Sequence, residues 1–472
     1  MSVSGLNRAT GTPSTADGDG YLLQSESDLA QAVAYAIERS AAVGAHEAIA
    51  MVSEQGGLTV TVAGGQVQTA VREGNQSLRI SIYADGCTGV ASTESFSRSA
   101  IDRVVEQAAA MARQLEPDPD AGLADRDTLA WATPGVQLFA PSSQTPGDLT
   151  EAAMAIEAAA LARAKGGTVR VSEAGAASQD LRFALATSQG FCRTGSGSIQ
   201  HRWCQTIAQR GEGMHLGHWS SADRRLNGLL PDAEVGRIAA EKALRMLGAE
   251  GLTTRRVPVL VDAPVASSLV RDLCAQLSGT AQFQRLTFLP DAMGRPLAAA
   301  HLTLEEDPFE PFGLASAAFD SEGVAGRRRA IVHGGVVKGL FLDTRMARKL
   351  GHASTGNAGG MRNLTLGSST TRPGDDLAAM LRKLGTGLWL TRFMGGGSNP
   401  ATGVYSRAAA GFWVENGLVV RPVQGFTVAG NLQDMLQAIV TVGADVHREG
   451  AIRTGSILLP DLQIAGRCCQ PL

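Results

Sequence analysis

Leu29, Val33 and Ile37 recur every four residues behind the capping residues Ser25 to Asp28, which predicts a helix over about residues 27–41. From Ala48 to Ser92 the pattern shortens to β-rich pieces at Gly57–Val62, Gln66–Arg72, Leu78–Tyr83 and Gly89–Ala91, separated by Gly-Gly and Asp-Gly turn signals. This is an antiparallel meander. Ile101, Val104, Val105, Ala108, Met111 and Leu115 then predict a second amphipathic helix over 97–115, stopped by Pro117 and Pro119. A Pro- and Asp-rich connection over 117–147 leads to an Ala-rich helix from Leu149 to Lys165, ended by Gly166-Gly167. Strands follow near 168–173, 181–187 and 198–209, then a helix over 232–247.

The basic stretch Gly248 to Arg256 separates this part from a new strand, Val257–Val261, and a new helix, Pro264–Leu277. Hairpins dominate beyond it. Asn416-Gly417 between Phe412–Glu415 and Leu418–Val420 supplies the two positive φ values of a type I′ turn, and Ala330–Val332 with Val336–Leu340 flank His333-Gly334-Gly335. Helices alternating with meanders rather than single strands argue for α+β and against a doubly wound nucleotide-binding sheet, and no phosphate-loop glycine motif contradicts this. The expected fold has two domains. Residues 25–250 form N-terminal helices with antiparallel meanders, and 256–466 form a hairpin-rich, barrel-like antiparallel β domain with short helices. Residues 1–24 read as a disordered leader and 467–472 as a tail.

Composition narrows the function classes. With 42 Lys plus Arg against 45 Asp plus Glu, the net charge is −3, which leaves no cationic excess for a phosphate backbone. Hydrophobic residues at 44% and charged residues at 18%, against about 25% in ordinary domains, favour a well-buried fold. Glycine, at 56 residues, is over-represented and points to many tight turns. No apolar run approaches a membrane span, and the first twenty residues lack an apolar signal core. Six cysteines without a CxxC fit reduced thiols, so a cytoplasmic protein is expected.

Chemistry-bearing clusters are sparse. His215 and His218 would converge on a metal from a helix, but their glycine-rich surroundings suggest a loop or strand, where an i, i+3 pair points to opposite faces. His46-Glu47 has no second histidine, no GxSxG elbow is present, and Glu305-Glu306-Asp307 reads as a solvated face. Gly395 to Pro400 is either a place where a ligand backbone approaches closely or a flexible hairpin loop.

Three ordered segments carry a more specific signal: Gly313–Val324 (GLASAAFDSEGV), Tyr405–Gly417 (YSRAAAGFWVENG) and Thr427–Met435 (TVAGNLQDM). They resemble the TldD/PmbA metalloprotease family, and most of all its PmbA (TldE) branch, over residues 25–466. The resemblance implies a cytoplasmic complex in which a TldD-type chain carries zinc on an HExxxH helix, completed by a later cysteine, and a TldE-type chain is its partner. Here the corresponding helix, Ser267 to Leu277, has no histidine, and Leu436 to Pro460 has no cysteine. The expectation is therefore a non-catalytic subunit acting on unfolded peptides, with no cofactor of its own, zinc in the partner, and neither nucleic acid nor membrane as a target. Ser316, Phe319, Asp320 and Glu322, with Gly395, Gly396, Gly397, Asn399, Tyr405, Ser406 and Arg407, would line a surface facing the partner or the peptide. The alternative for these motifs is that they shape turns and a helix cap. Two other functions stay open: a self-sufficient metallopeptidase using His215, His218 and Cys468 or Cys469, and a protein-binding modulator of DNA gyrase or its inhibitors.

Overall fold

The structure, a computed structural model, describes residues 21–164, 168–211 and 213–466. Its first half contains α1 (Glu26–Ala42), β1 (Glu47–Ala63), β2 (Gln66–Ala84), β3 (Cys87–Thr93), α2 (Arg98–Ala112), α3 (Pro146–Leu161), β4 (Val169–Thr187), β5 (Cys192–Arg210), β6 (Gly213–Asp223) and α4 (Asp232–Leu244). The strands form one antiparallel sheet in the order β3-β2-β1-β4-β5-β6. The short pieces expected over 48–92 are in fact strands of 17, 19 and 7 residues. Likewise, the segments expected near 168–173 and 181–187 are one 19-residue strand. The small residues Gly175, Ala176 and Ala177 interrupt the hydrophobic pattern there but sit inside the ladder. The Gly166-Gly167 stop lies outside the described residues.

A helix, a three-strand meander and a helix thus occur twice, joined side by side through β1 and β4. The repetition extends to details. Each unit opens on a capping box, Ser25 with Asp28 and Thr145 with Asp148, in which the side chains satisfy each other's backbone N–H groups. Each third strand carries a glycine under the closing helix. A Cβ on Gly89 would lie 1.8 Å from the Ala108 carbonyl oxygen, and one on Gly217 would lie 2.1 Å from that of Ala239. Helices α1 and α2 cover one end of the sheet around Leu29, Val33, Ile80, Ile101 and Val105. Helices α3 and α4 cover the other around Val60, Ile156, Val235 and Ala239.

The second half contains β7 (Arg255–Val261), α5 (Ala263–Gln276), α6 (Gly279–Phe283), β8 (Leu302–Asp307), β9 (Arg329–His333), β10 (Val336–Val337), α7 (Thr344–Lys349), β11 (Asn363–Ser368), α8 (Leu377–Leu384), β12 (Gly387–Ser398), β13 (Val404–Glu415), β14 (Leu418–Asn431), α9 (Leu432–Gln437), β15 (Thr441–Val442), β16 (His447–Glu449), β17 (Ile452–Thr454) and β18 (Ile457–Ala465). Strands β14-β13-β12-β7-β18 form a run that closes on itself through a β14–β18 pairing, giving a five-stranded barrel. A second sheet runs β10-β9-β8-β11-β17-β16. The fold is α+β, as expected, with a true barrel in its hairpin-rich part. The second half of β7 is buried on both of its faces, which explains its near-continuous apolar run. Val259 and Val261 enter the main core, while Leu260 packs outward with Met380 and Leu384 of α8.

The two halves touch along several contacts, of which two stand out. Leu123, Leu129, Phe191 and Val324 share a small core. Beside it, the connection after α2 is tied to α7: Lys349 Nζ lies 2.9 Å from Asp118 and 3.1 Å from Asp120, and Arg348 lies 3.1 Å from Asp125.

Candidate functional site: a cleft between the sheet and the barrel

The motif residues fall into two separate groups, both engaged internally. In the first, the Ser316 hydroxyl donates to the Glu310 carbonyl at 2.7 Å and accepts from Asn363. The Asp320 carboxylate collects the N–H groups of Glu322, Val324 and Ala358 at 2.9–3.0 Å. Phe319 meets Phe183 and Phe191 edge-on across the junction of the halves. Glu322 accepts from the backbone and hydroxyl of Thr344, and burial pushes its carboxyl up to about 7.

In the second group, Gly395, Gly396 and Gly397 belong to β12 rather than to a hairpin loop. Gly396 pairs with Arg407, Gly397 pairs with Ser406, and a register shift lies between Phe393 and Gly396. The tip is held by Asn399, whose side chain accepts from the N–H groups of Ala401 and Thr402. Tyr405 is fully buried, and Arg407 reaches Asp272 of α5 at 3.2 Å while stacking on Phe393. The remaining motif glycines shape the chain. A Cβ on Gly411 would meet the Trp389 carbonyl oxygen at 2.1 Å, and Asn431 caps α9.

Helix α5 contains most of the Ser267–Leu277 segment that the resemblance sets against an HExxxH helix. It contributes Leu269, Val270, Leu273 and Cys274, all buried in the main core. On β6, His215 is buried with Gly217 on the helix-covered face, whereas His218 is exposed on the other, as a strand requires. Among the described residues, no group of three or more His, Cys, Asp or Glu side chains is arranged to hold a metal ion. Cys468 and Cys469 lie outside the described residues. The side chains present in this part of the chain therefore do not fit a zinc centre of the HExxxH type.

A cavity of about 630 Å³ opens between the edge of β6, helix α4 and the outer wall of the barrel. Edge strand β6 points its Leu216 carbonyl outward, and Arg392 of β12 donates to it at 3.2 Å, so one hydrogen bond ties the sheet edge to the barrel. Trp219 of β6 forms one wall, with the Lys242 ammonium 4.3 Å from its ring centre and His447 5.2 Å from it. Across the cavity, Trp389 stacks near Phe412, with Arg245 over both rings. Asp262, between β7 and α5, is buried and accepts from the Trp389 indole N–H at 3.2 Å. Burial pushes the Asp262 carboxyl up and the Lys242 ammonium down, while the opposite charge of each pulls the other back. His215 is held below the usual histidine range by burial and then by Arg392, and His218, although exposed at the cavity rim, is lowered by partial desolvation there and then by Lys242.

Sequence reasoning singled out His215 and His218 but passed over Lys242, Asp262, Trp389, Arg392 and His447. They come from α4, the β7–α5 junction, β12 and β16, which lie far apart in the sequence, so only the tertiary structure assembles them.

Comparison with known proteins gives a consistent result along the chain. Residues 50–112 match the PmbA/TldA metallopeptidase domain 1, residues 139–247 the central domain and residues 254–466 the C-terminal domain. The chain is 36% identical over 447 residues to "Metalloprotease PmbA" of Escherichia coli O157:H7, covering 93% of this chain and 96% of that one. It is 34% identical over 444 residues to the "Metalloprotease PmbA homolog" of Haemophilus influenzae, covering 93% and 97%. Among solved structures, a putative modulator of DNA gyrase from Bacteroides thetaiotaomicron shares the fold with a TM-score of 0.85 at 24% identity, covering 93% of this chain and 98% of that one. TldE from Thermococcus kodakarensis does so at 0.79 and 21%, covering 92% and 100%. Three matched segments and a full-length relative above 30% identity place the chain in the PmbA/TldD metallopeptidase family.

Proposed function

We propose that this chain is a PmbA/TldE-type subunit without catalytic zinc of its own, working in the cytoplasm beside a TldD-type HExxxH chain that hydrolyses unfolded peptides. The observation that carries this reading is the filling of α5. Leu269, Val270, Leu273 and Cys274 each expose 2% or less of their surface and contribute to the core that supports the barrel. Histidines introduced there would have to displace well-packed apolar side chains. The divergence of His215 and His218 on β6 also weighs against a metal site built from that pair. The family's HExxxH zinc does not fit these residues, so no catalytic step is assigned to them.

The test is purification of the chain alone, followed by metal analysis and incubation with unstructured peptides. The expected result is substoichiometric zinc and no chelator-sensitive cleavage, with cleavage appearing when an HExxxH chain of the family is added. Stoichiometric zinc with chelator-sensitive cleavage by the isolated chain would overturn the proposal.

A further inference from the structure

The cavity beside β6 holds charges that form no salt bridge within contact distance among the described residues. Lys242, Arg245 and Arg392 line it, and none of the three forms an ion pair with a described residue. Lys242 is the most enclosed, set over Trp219, and its ammonium makes no hydrogen bond to a described residue. On the carboxylate side, Glu241 is taken by Arg163 and Arg237, and one oxygen of Asp445 accepts from the N–H and hydroxyl of Ser456. Asp262 uses one oxygen on the Trp389 indole, and its second accepts no hydrogen bond from a described residue. Between these charges the walls are aromatic and apolar: Trp219, Trp389, Phe412 and Met246.

We propose that this cavity binds a small zwitterion, an α-amino acid or a dipeptide with an apolar side chain, whose carboxylate meets Lys242 and whose ammonium meets Asp262. The volume is within the range of small-molecule sites and exceeds what one amino acid requires. A purely apolar ligand would seal the Lys242 ammonium away from water without a partner, which is costly. An inorganic anion would leave Asp262 and the aromatic walls unused. A zwitterion satisfies both charges and places its side chain on the rings. This inference does not depend on the subunit role proposed above, because it invokes neither zinc nor a second chain.

The test is titration of the full chain with L-leucine and L-leucyl-L-leucine, read by calorimetry and by the fluorescence of the wall tryptophans. N-acetyl and C-terminal amide forms of each serve as the blocked counterparts. At least one free zwitterion is expected to saturate a single site, with either end-blocked form weaker by about tenfold or more, the cost of one charge-assisted bond. Whether the amino acid or the dipeptide binds more tightly identifies the source of the ligand. Lys242→Met should abolish the preference for a free carboxylate, and Asp262→Asn the preference for a free ammonium. Absence of binding by both zwitterions, or equal binding of free and blocked forms, would overturn the proposal. Because the blocked ligands act on the unaltered chain, that comparison decides the matter even if a variant fails to fold.

Discussion

Single atoms decide much of this structure. Gly89 and Gly217 let a helix backbone lie directly on a strand, and a methyl group at either position would overlap a carbonyl oxygen. Gly89→Ala and Gly217→Ala should each cost about 1–3 kcal/mol in urea denaturation, by forced displacement of a helix. Gly367→Ala, on β11 with open space around it, should stay within about 0.5 kcal/mol. Glu322 sets a pH dependence. Its folded carboxyl titrates near 7 against 4.5 for an ordinary glutamate, so the folded state favours the protonated form. The associated stability is full below pH 4.5 and is lost as pH rises through about 7. Glu322→Gln should flatten that part of a stability-against-pH curve measured by thermal melting, and an unchanged slope would refute the assignment. Residue-level features with local causes were legible in the sequence. Asn416 and Gly417 adopt φ of 53° and 77°, the backbone their turn requires. Burial of Ser316 and Asp320 was not legible, because it depends on Asn363 and Ala358, some forty residues away.

At the scale of elements, the helices were the most readable, since their caps and periodicity are local. Ser25→Ala and Thr145→Ala should each remove about 1 kcal/mol, measured by chemical denaturation, and their effects should add because the two capping boxes share no residue. Met111 and Leu115 belonged to the expected apolar stripe of the second helix yet are 46% and 52% exposed: the buried stripe runs through Ala108, Ala109 and Ala112 and leaves Met111 outside, and Leu115 lies beyond the end of α2 at Ala112. Strand lengths were underestimated for a physical reason. Residues 66–75 of β2 are exposed on both faces and so lack alternation, while the small residues of β4 break the apolar count without breaking the ladder. The sequence leaves β6 undecided between loop and strand because Gly213, His215, Gly217 and His218 are poor strand formers, held there by β5 on one side and α4 above.

The whole molecule depends on how its halves are joined. Asp118 is drawn down to about 2, chiefly by its hydrogen bond from Lys349, so the stability from this link holds above the ordinary aspartate range and is lost as pH falls through about 2. Lys349→Met should raise the rate of limited proteolysis in the 117–145 connection and weaken the acid limb of the stability curve. A proteolysis pattern identical to that of the unaltered chain would show that the Lys349 ion pairs are not needed to hold the connection in place. The cleft belongs to this scale too, which is why it was invisible in the sequence: it exists only where β6 is brought against β12. Barrel closure has its own consequence. Strand β7, the first of its half, sits between β12 and β18, so its ladder is complete only after Ile457–Ala465 has been synthesised. The first sheet needs nothing beyond Asp223 for its last strand. During translation the two halves therefore mature in sequence, and for some two hundred residues of synthesis one side of β7 waits as an open edge that a chaperone, or a wrong strand, would find first.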